Sequence, residues 1–300
     1  MRKREDSLSG TIESAWRFHH RRWKNNLFVY AVISRRSRGL SIGINLNPDK
    51  KCNFNCVYCQ VDRQKPAVVW EVDLARLAGE LDEILEAEKE GLLYEDPPFN
   101  LLRPQERGVR DIAFSGDGEP TLSPYFEASV RIVARARERF RLESAKLVLM
   151  TNAAFLHEPA VQAALAILDA NNGEIWAKLD AGTDAGFRAI NRTDDPLDLI
   201  LSNILEASRA RALVIQSLLF RMHGKLPARE EVEAYCRQLN RMASAGGKFS
   251  ALQLYTIARA PAEPSVVPLS SEELAEIGTL IRARVGVPVQ VFVPERLSKI

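Results

Sequence analysis

The 300-residue chain is 46% hydrophobic and 27% charged, an ordinary composition for a globular protein. That length buries a full core without disulfides or structural metals and fits one large α/β domain or two smaller ones. Net charge is +2, but residues 1–40 hold ten Lys/Arg against three Asp/Glu, a net of +7, which leaves −5 for the remainder.

The basic arm comes first along the chain. It reads either as a contact for nucleic acid or as a solvated helix face followed by an arginine-rich loop. The apolar run "LFVYAVI" (27–33) is short and β-rich, with no small-residue cleavage site after it, so a signal peptide is not expected. No apolar run approaches the roughly 18 residues that a membrane-spanning helix needs. A cytoplasmic location is the expectation. In a reducing compartment, clustered cysteines more often hold metal than pair with each other.

A pattern then recurs: a short apolar run, a polar loop, a helical stretch. The runs lie at 41–47, 111–116, 146–151, 174–180, 211–220, 251–257 and 289–293. Near-continuous apolar strands separated by helices predict a parallel sheet covered on its outer face. After Asp73, a candidate N-cap, Leu74, Leu77, Leu81, Ile84 and Leu85 fall at helical spacing. Ser123–Pro124 reads as an N-cap with proline at the first helical position. Further helices are expected at 157–169, 197–209 and 228–244, and Ser270 with Glu273 has capping-box spacing ahead of the last helix. Residues 91–110 form one long loop, either a lid or, the preferred reading, a mobile insertion. Repeated βα units imply a doubly wound sheet or an open or closed β/α barrel, and both place ligand sites at the C-terminal ends of strands.

Three of the four cysteines follow the first strand of that series, in "KKCNFNCVYCQVD" (51–63), as C-x3-C-x2-C. Thiolates are soft ligands suited to zinc or iron–sulfur clusters. Zinc needs a fourth ligand or water. No His and no further Cys lies within about 20 residues of this loop, and Cys236 shares a helical stripe with Val232 and Leu239 that points to burial. A cubane has four irons, so three cysteines leave one iron open to a ligand.

C-x3-C-x2-C with the aromatic Tyr58 before the third cysteine resembles the radical SAM superfamily. The resemblance runs from about residue 34 to 260. It implies a [4Fe-4S] cluster on Cys52, Cys56 and Cys59, with S-adenosyl-L-methionine (SAM) chelated to the open iron. Reductive cleavage of SAM then yields a 5′-deoxyadenosyl radical that abstracts hydrogen from a substrate, an oxidoreductase- or lyase-like activity. The implied fold is α/β, a partial (β/α)6 barrel of TIM type. Residues 1–38 are then a basic extension, 39–260 the core barrel, and 261–300 a helix and strand completing the same domain.

"SGDGEPTL" (115–122) resembles the superfamily's Gly-Gly-Glu-Pro, with Asp117 in place of the first glycine. By that resemblance Gly116, Gly118 and Glu119 hold the amino end of SAM. At later strand ends, Asn152, Lys178 and Asp180 are candidate SAM contacts. Lys178 and Asp180, two apart in a strand, point the same way, and a structural ion pair is their alternative role. Gln216, Ser217 and Arg259 are weaker candidates, Arg259 for an anionic substrate.

Several segments, "LDAGTDAGFRAINR" among them, are similar to the branch containing wyosine-type tRNA-modifying enzymes. The tRNA enzymes of that branch carry a second cluster on three further cysteines; here only Cys236 remains. A reduced flavodoxin or ferredoxin is the implied electron donor. The substrate stays open between RNA, a protein or peptide, and a small molecule, as does a non-catalytic metal- or SAM-binding module. No catalytic side chain is assigned.

Overall fold

The computed structural model describes residues 23–293, apart from 260 and 262. Residues 1–22 of the basic arm and residues 294–300 lie outside the described residues. Among the described residues, no helix is long and apolar enough to cross a membrane.

Eight strands form the main sheet: β1 (Val29–Ser34), β2 (Gly39–Ile44), β3 (Val109–Phe114), β4 (Lys146–Thr151), β5 (Gly173–Lys178), β6 (Leu213–Leu218), β8 (Phe249–Tyr255) and β10 (Val289–Phe292). They lie side by side in chain order. β1 pairs antiparallel with β2, and every later neighbour is parallel. β1 and β10 stand at opposite edges, so the barrel is open. β7 (Phe220–Met222) and β9 (Val266–Pro268) make a separate antiparallel pair. The helices are α1 (Leu74–Lys89), α2 (Phe126–Arg139), α3 (Pro159–Asp169), α4 (Asp184–Asn191), α5 (Leu197–Ala210), α6 (Arg229–Ser244) and α7 (Ser271–Arg282).

Strand alternation sorts the side chains into two layers. Ile42, Ile112, Leu147, Ile175, Ile215 and Leu252 join Leu77, Leu81, Val130, Leu165, Ile204 and Leu239 of the helices in the main core. The intervening positions, Ala113, Val148, Trp176, Val214 and Ala251, form a smaller cluster of their own on the opposite face. Met150, packed against that cluster, lines one cavity with Ser41 and Gly43 of β2, Lys178, Gln216 and Tyr255, so this face is the concave one.

The expected partial barrel is present, with local corrections. The run 27–33 becomes the antiparallel edge strand β1, anchored where the buried Glu80 carboxylate accepts from the N–H groups of Leu27, Phe28 and Val29. The run 211–220 divides into β6 and β7. Residues 174–180 contribute a strand only as far as Lys178. α2 starts at Phe126, not directly after Ser123: Ser123 Oγ accepts from Tyr125 N–H at 3.4 Å and its carbonyl from Phe126 N–H at 3.1 Å, so residues 123–125 form a turn that leads into the helix. The loop 91–110 holds three 3-10 turns, and its Leu93, Tyr94, Phe99 and Leu102 enter the main core; none of its residues lines the cavity on the concave face, so it is a packed insertion and not a lid over that cavity. The Asp73 cap and the Ser270–Glu273 capping box are formed.

Candidate cofactor site

The loop after β2 carries Cys52, Cys56 and Cys59, all free and partly buried. It is pinned from two sides. The N–H groups of Asn55 and Val57 donate to the carbonyls of Asn191 and Ile190 at the end of α4, at 3.0 and 2.9 Å. Phe54 is buried edge-on against Phe187 of the same helix, with ring centroids 5.5 Å apart. α4 is capped by Thr183, whose side chain accepts from Gly186 N–H. The sequence signal for this helix, a capping threonine ahead of "DAGFRAIN", is short and easily passed over.

The segment 115–119 closes the other side. Ser115 N–H donates to the Ile44 carbonyl at 3.0 Å, and Glu119 N–H to the Lys51 carbonyl at 3.1 Å. Gly116 has φ +153°, and a Cβ there would meet the Asn45 side chain at 2.4 Å; a Cβ at Gly118 would meet the Lys51 carbonyl oxygen at 2.0 Å. Both positions therefore demand glycine. Asp117, the departure from Gly-Gly-Glu-Pro, is held by Asn45: its N–H donates to Asn45 Oδ1 at 3.1 Å and its carboxylate accepts from Asn45 Nδ2 at 2.8 Å.

Glu119 is buried and acts as a hub. Its Oε1 accepts from Thr121 N, Thr121 Oγ1 and Thr151 Oγ1, and its Oε2 from Asn152 N at 2.7 Å. Burial raises the carboxyl pKa, while these donors oppose the shift. Asn152 extends the network to the cysteine loop, with Nδ2 2.7 Å from Asn53 Oδ1 and 3.9 Å from Cys52 Sγ.

On the far wall, Lys178 Nζ donates to Asp180 Oδ1 at 2.9 Å and to the Tyr255 hydroxyl at 2.8 Å. Asp180 also accepts from Tyr58 Oη, from Leu218 N–H and from Asn191 Nδ2. The structural ion pair is thus formed, although Asp180 lies beyond the strand. Burial opposes the charge on Lys178, but Asp180 and Tyr255 more than compensate, and its pKa is raised. Burial, with Asp180 second, drives the Tyr58 phenol well above its ordinary value.

The thiols sit in the same low-dielectric wall. Burial pushes Cys52 up to about 11 and, with help from Asp180, Cys56 up to about 12. Asn191 Nδ2 stands 3.4 Å from Cys56 Sγ and partly offsets that rise. Sequence reasoning missed Asn191 as a site residue. Its Oδ1 is buried and, among the described residues, has no hydrogen-bond partner.

Cys52, Cys56, Cys59, Tyr58, Gly116, Gly118, Glu119, Asn152, Lys178 and Asn191 all line one cavity of about 360 Å³ at the C-terminal ends of the strands. Gln216 and Arg259 line it too; Asp180 and Ser217 instead face a second cavity behind the wall. Cys236 is buried in the helix-side core beside Leu239. Among the described residues, no three His, Cys, Asp or Glu side chains converge as the ligands of one metal ion would. Thiolates that each hold a different iron of a cluster need no such convergence. The soft donor set and the cavity before it fit a polynuclear iron–sulfur group.

Two solved structures share this architecture. TYW1 with a lysine–pyruvate adduct bound matches over 83% of this chain and 74% of its own, at TM-score 0.53 and 15% identity. A cysteine-to-serine mutant of spore photoproduct lyase matches over 90% and 81%, at TM-score 0.56 and 11% identity. The fold is that of radical SAM enzymes. At these identities the likeness concerns the fold alone. A "UPF0026 protein" of Helicobacter pylori strain J99 is 27% identical over 198 residues, 65% of this chain and 56% of that protein. One of Methanocaldococcus jannaschii is 25% identical over 178 residues, covering 59% and 47%. The chain spans about half the length of the curated UPF0026 relatives it matches. No protein-family model matches the chain.

Proposed function

We propose that this chain is a radical SAM enzyme whose Cys52, Cys56 and Cys59 hold a [4Fe-4S] cluster. One observation carries the reading: three thiols with no fourth in their loop share a cavity with the 115–119 segment, on a radical SAM fold. When bound, the cluster and SAM supply reductive SAM cleavage and hydrogen-atom abstraction, chemistry that no side chain here provides.

The chain's own residues would do the rest. Gly116 and Gly118 let backbone approach the ligand, and Glu119, held as an acceptor by four donors, offers a fixed negative end to an ammonium. Asn152 ties that carboxylate to the Cys52 loop. Lys178, set by Asp180 and Tyr255, presents a cation toward a carboxylate or hydroxyl. Tyr58 and the aliphatic wall keep water from the sulfurs. A small reductant protein would supply the electron.

The test is anaerobic reconstitution with iron and sulfide, then SAM and dithionite, with 5′-deoxyadenosine measured. Product from the wild type, lost with the cluster in Cys56→Ala, supports the reading. An intact four-iron cluster by EPR that forms no 5′-deoxyadenosine overturns it. Metabolites and digested tRNA nucleosides from a deletion strain then separate small-molecule from RNA substrates.

A further inference from the structure

The cavity continues from the thiols down the concave face to the β1–β2 turn, where Arg35 and Arg36 line it. Tyr30, Val32 and Ser34 of β1 line it at period two, so the strand delivers the turn to this face. We propose that Arg35 and Arg36 bind an oxyanion of the substrate, a carboxylate or phosphate on a small molecule. The assignment of that ligand as the substrate rests on the radical SAM reading above.

Arg36 is fixed without being neutralised. Its Nη1 donates to Gln216 Oε1 at 3.2 Å, Gln216 Nε2 donates to Gln253 Oε1 at 2.8 Å, and Gln253 Nε2 to Gln290 Oε1 at 3.3 Å. Every acceptor in that chain is a neutral amide. The guanidinium also lies over the rings of Trp176 and Tyr255, 5.3 and 5.1 Å from their centroids. Asp111 on β3 senses Arg36 but makes no ion pair with it; Ser41 Oγ donates to it at 2.5 Å. Among the described residues, Arg35 has neither a hydrogen bond nor an ion pair from its side chain. Burial and then the neighbouring Arg36 disfavour its charge, and Tyr255 offsets them only in part.

Lys178 does not need the anion, because Asp180 already answers its charge. The arginine pair does. A guanidinium stays protonated under all ordinary conditions, so two of them side by side in a partly buried cavity repel each other, and an incoming anion relieves that repulsion. Their planar forks suit carboxylate and phosphate oxygens. SAM carries a sulfonium, an ammonium and one carboxylate, a net +1, so it adds to the positive charge of the cavity.

The test titrates the cluster-bearing, SAM-saturated protein by anaerobic calorimetry, with inorganic pyrophosphate in one arm and succinate in the other. Wild type, Arg35→Gln and Arg36→Gln are compared. Expected is one saturable site for at least one anion, weakened about tenfold to a hundredfold by each substitution, with the affinity for SAM unchanged. The tighter arm tells phosphate from carboxylate. Arg36→Gln disturbs the amide chain and can misfold; Arg35→Gln breaks no described contact and decides the matter alone. No saturable anion binding, or binding indifferent to Arg35→Gln, overturns the proposal. So does an Arg35→Gln variant that loses SAM affinity instead, which would give the arginine to the cofactor carboxylate. Arg35-dependent anion binding in a protein that never cleaves SAM leaves the anion site standing and removes the radical reading. 5′-Deoxyadenosine formation without an anion site does the reverse.

Discussion

Asn191 Nδ2 stands 3.4 Å from the Cys56 sulfur and 3.3 Å from Asp180 Oδ2, although 135 residues separate it from the cysteine. A hydrogen bond to a cluster thiolate stabilises the reduced, more negative state and raises the potential. Asn191→Leu should therefore lower the midpoint potential of the reconstituted protein, by about 50 mV, close to the roughly 59 mV of a tenfold one-electron change. EPR-monitored redox titration reads this. An unchanged potential with intact cluster content would show that the amide serves only Asp180.

The buried thiols set a pH dependence. In the folded, metal-free chain Cys52 and Cys56 titrate at about 11 and about 12, above an ordinary thiol. A raised thiol pKa contributes stability that is full below the unfolded-state value, near 9, and is lost as pH rises through the folded value. Unfolding free energy of the metal-free protein should fall between about pH 9 and 11, by roughly 1.4 kcal/mol per pH unit and thiol at most. Cys56→Ser should flatten that slope in urea titrations. Alkylation of both thiols, mapped by mass spectrometry, should still be accelerating at pH 10.

Gly118→Ala places a Cβ 2.0 Å from the Lys51 carbonyl oxygen, a backbone atom that cannot rotate away. The cysteine loop must shift. A loss of about 1–3 kcal/mol is expected by denaturant unfolding, with impaired cluster incorporation. Wild-type stability and full iron content in this variant would contradict the packing argument.

Glu119→Gln can keep an oxygen facing Thr121 and Thr151, but it turns an NH2 toward Asn152 N–H, which donates to Oε2 at 2.7 Å. One buried donor is orphaned, at about 1–3 kcal/mol. Glu119→Ala orphans all four donors and should cost more. The ranking of the two in urea midpoints is the check, and both should weaken SAM binding.

Lys178→Met leaves the Asp180 carboxylate buried beside Tyr58 without its cation, at an expected cost of about 3–5 kcal/mol. The double variant Lys178→Met/Asp180→Asn should lose less than the sum of the single changes. Strict additivity in the double-mutant cycle would mean that the pair is uncoupled.

Much of this was legible in the chain. C-x3-C-x2-C falls in one loop, because three thiols within eight residues and no regular element between them stay together. The apolar runs at 111–116, 146–151 and 251–257 became β3, β4 and β8 because fully covered strands are apolar along their length. Asp73 and the Ser270–Glu273 pair cap their helices because capping is decided within one turn. Ser123 marks the approach to its helix two residues early: its Oγ accepts from Tyr125 N–H and its carbonyl from Phe126 N–H in a turn that runs into Phe126.

The sequence by itself determined the spacing of the three thiols, most of the strand–helix alternation and the alternation of faces, since each depends on neighbours a few residues apart. It did not say which face would be concave or what would meet inside it. Curvature of the sheet brings Arg36 to Gln216 across 180 residues, Tyr58 to Asp180 across 122, and Asn191 to Cys56. Period two tells that Lys178 and Trp176 share a side; only the curled sheet makes that side a charged cavity, because enclosure depends on strands far apart in the chain closing around it.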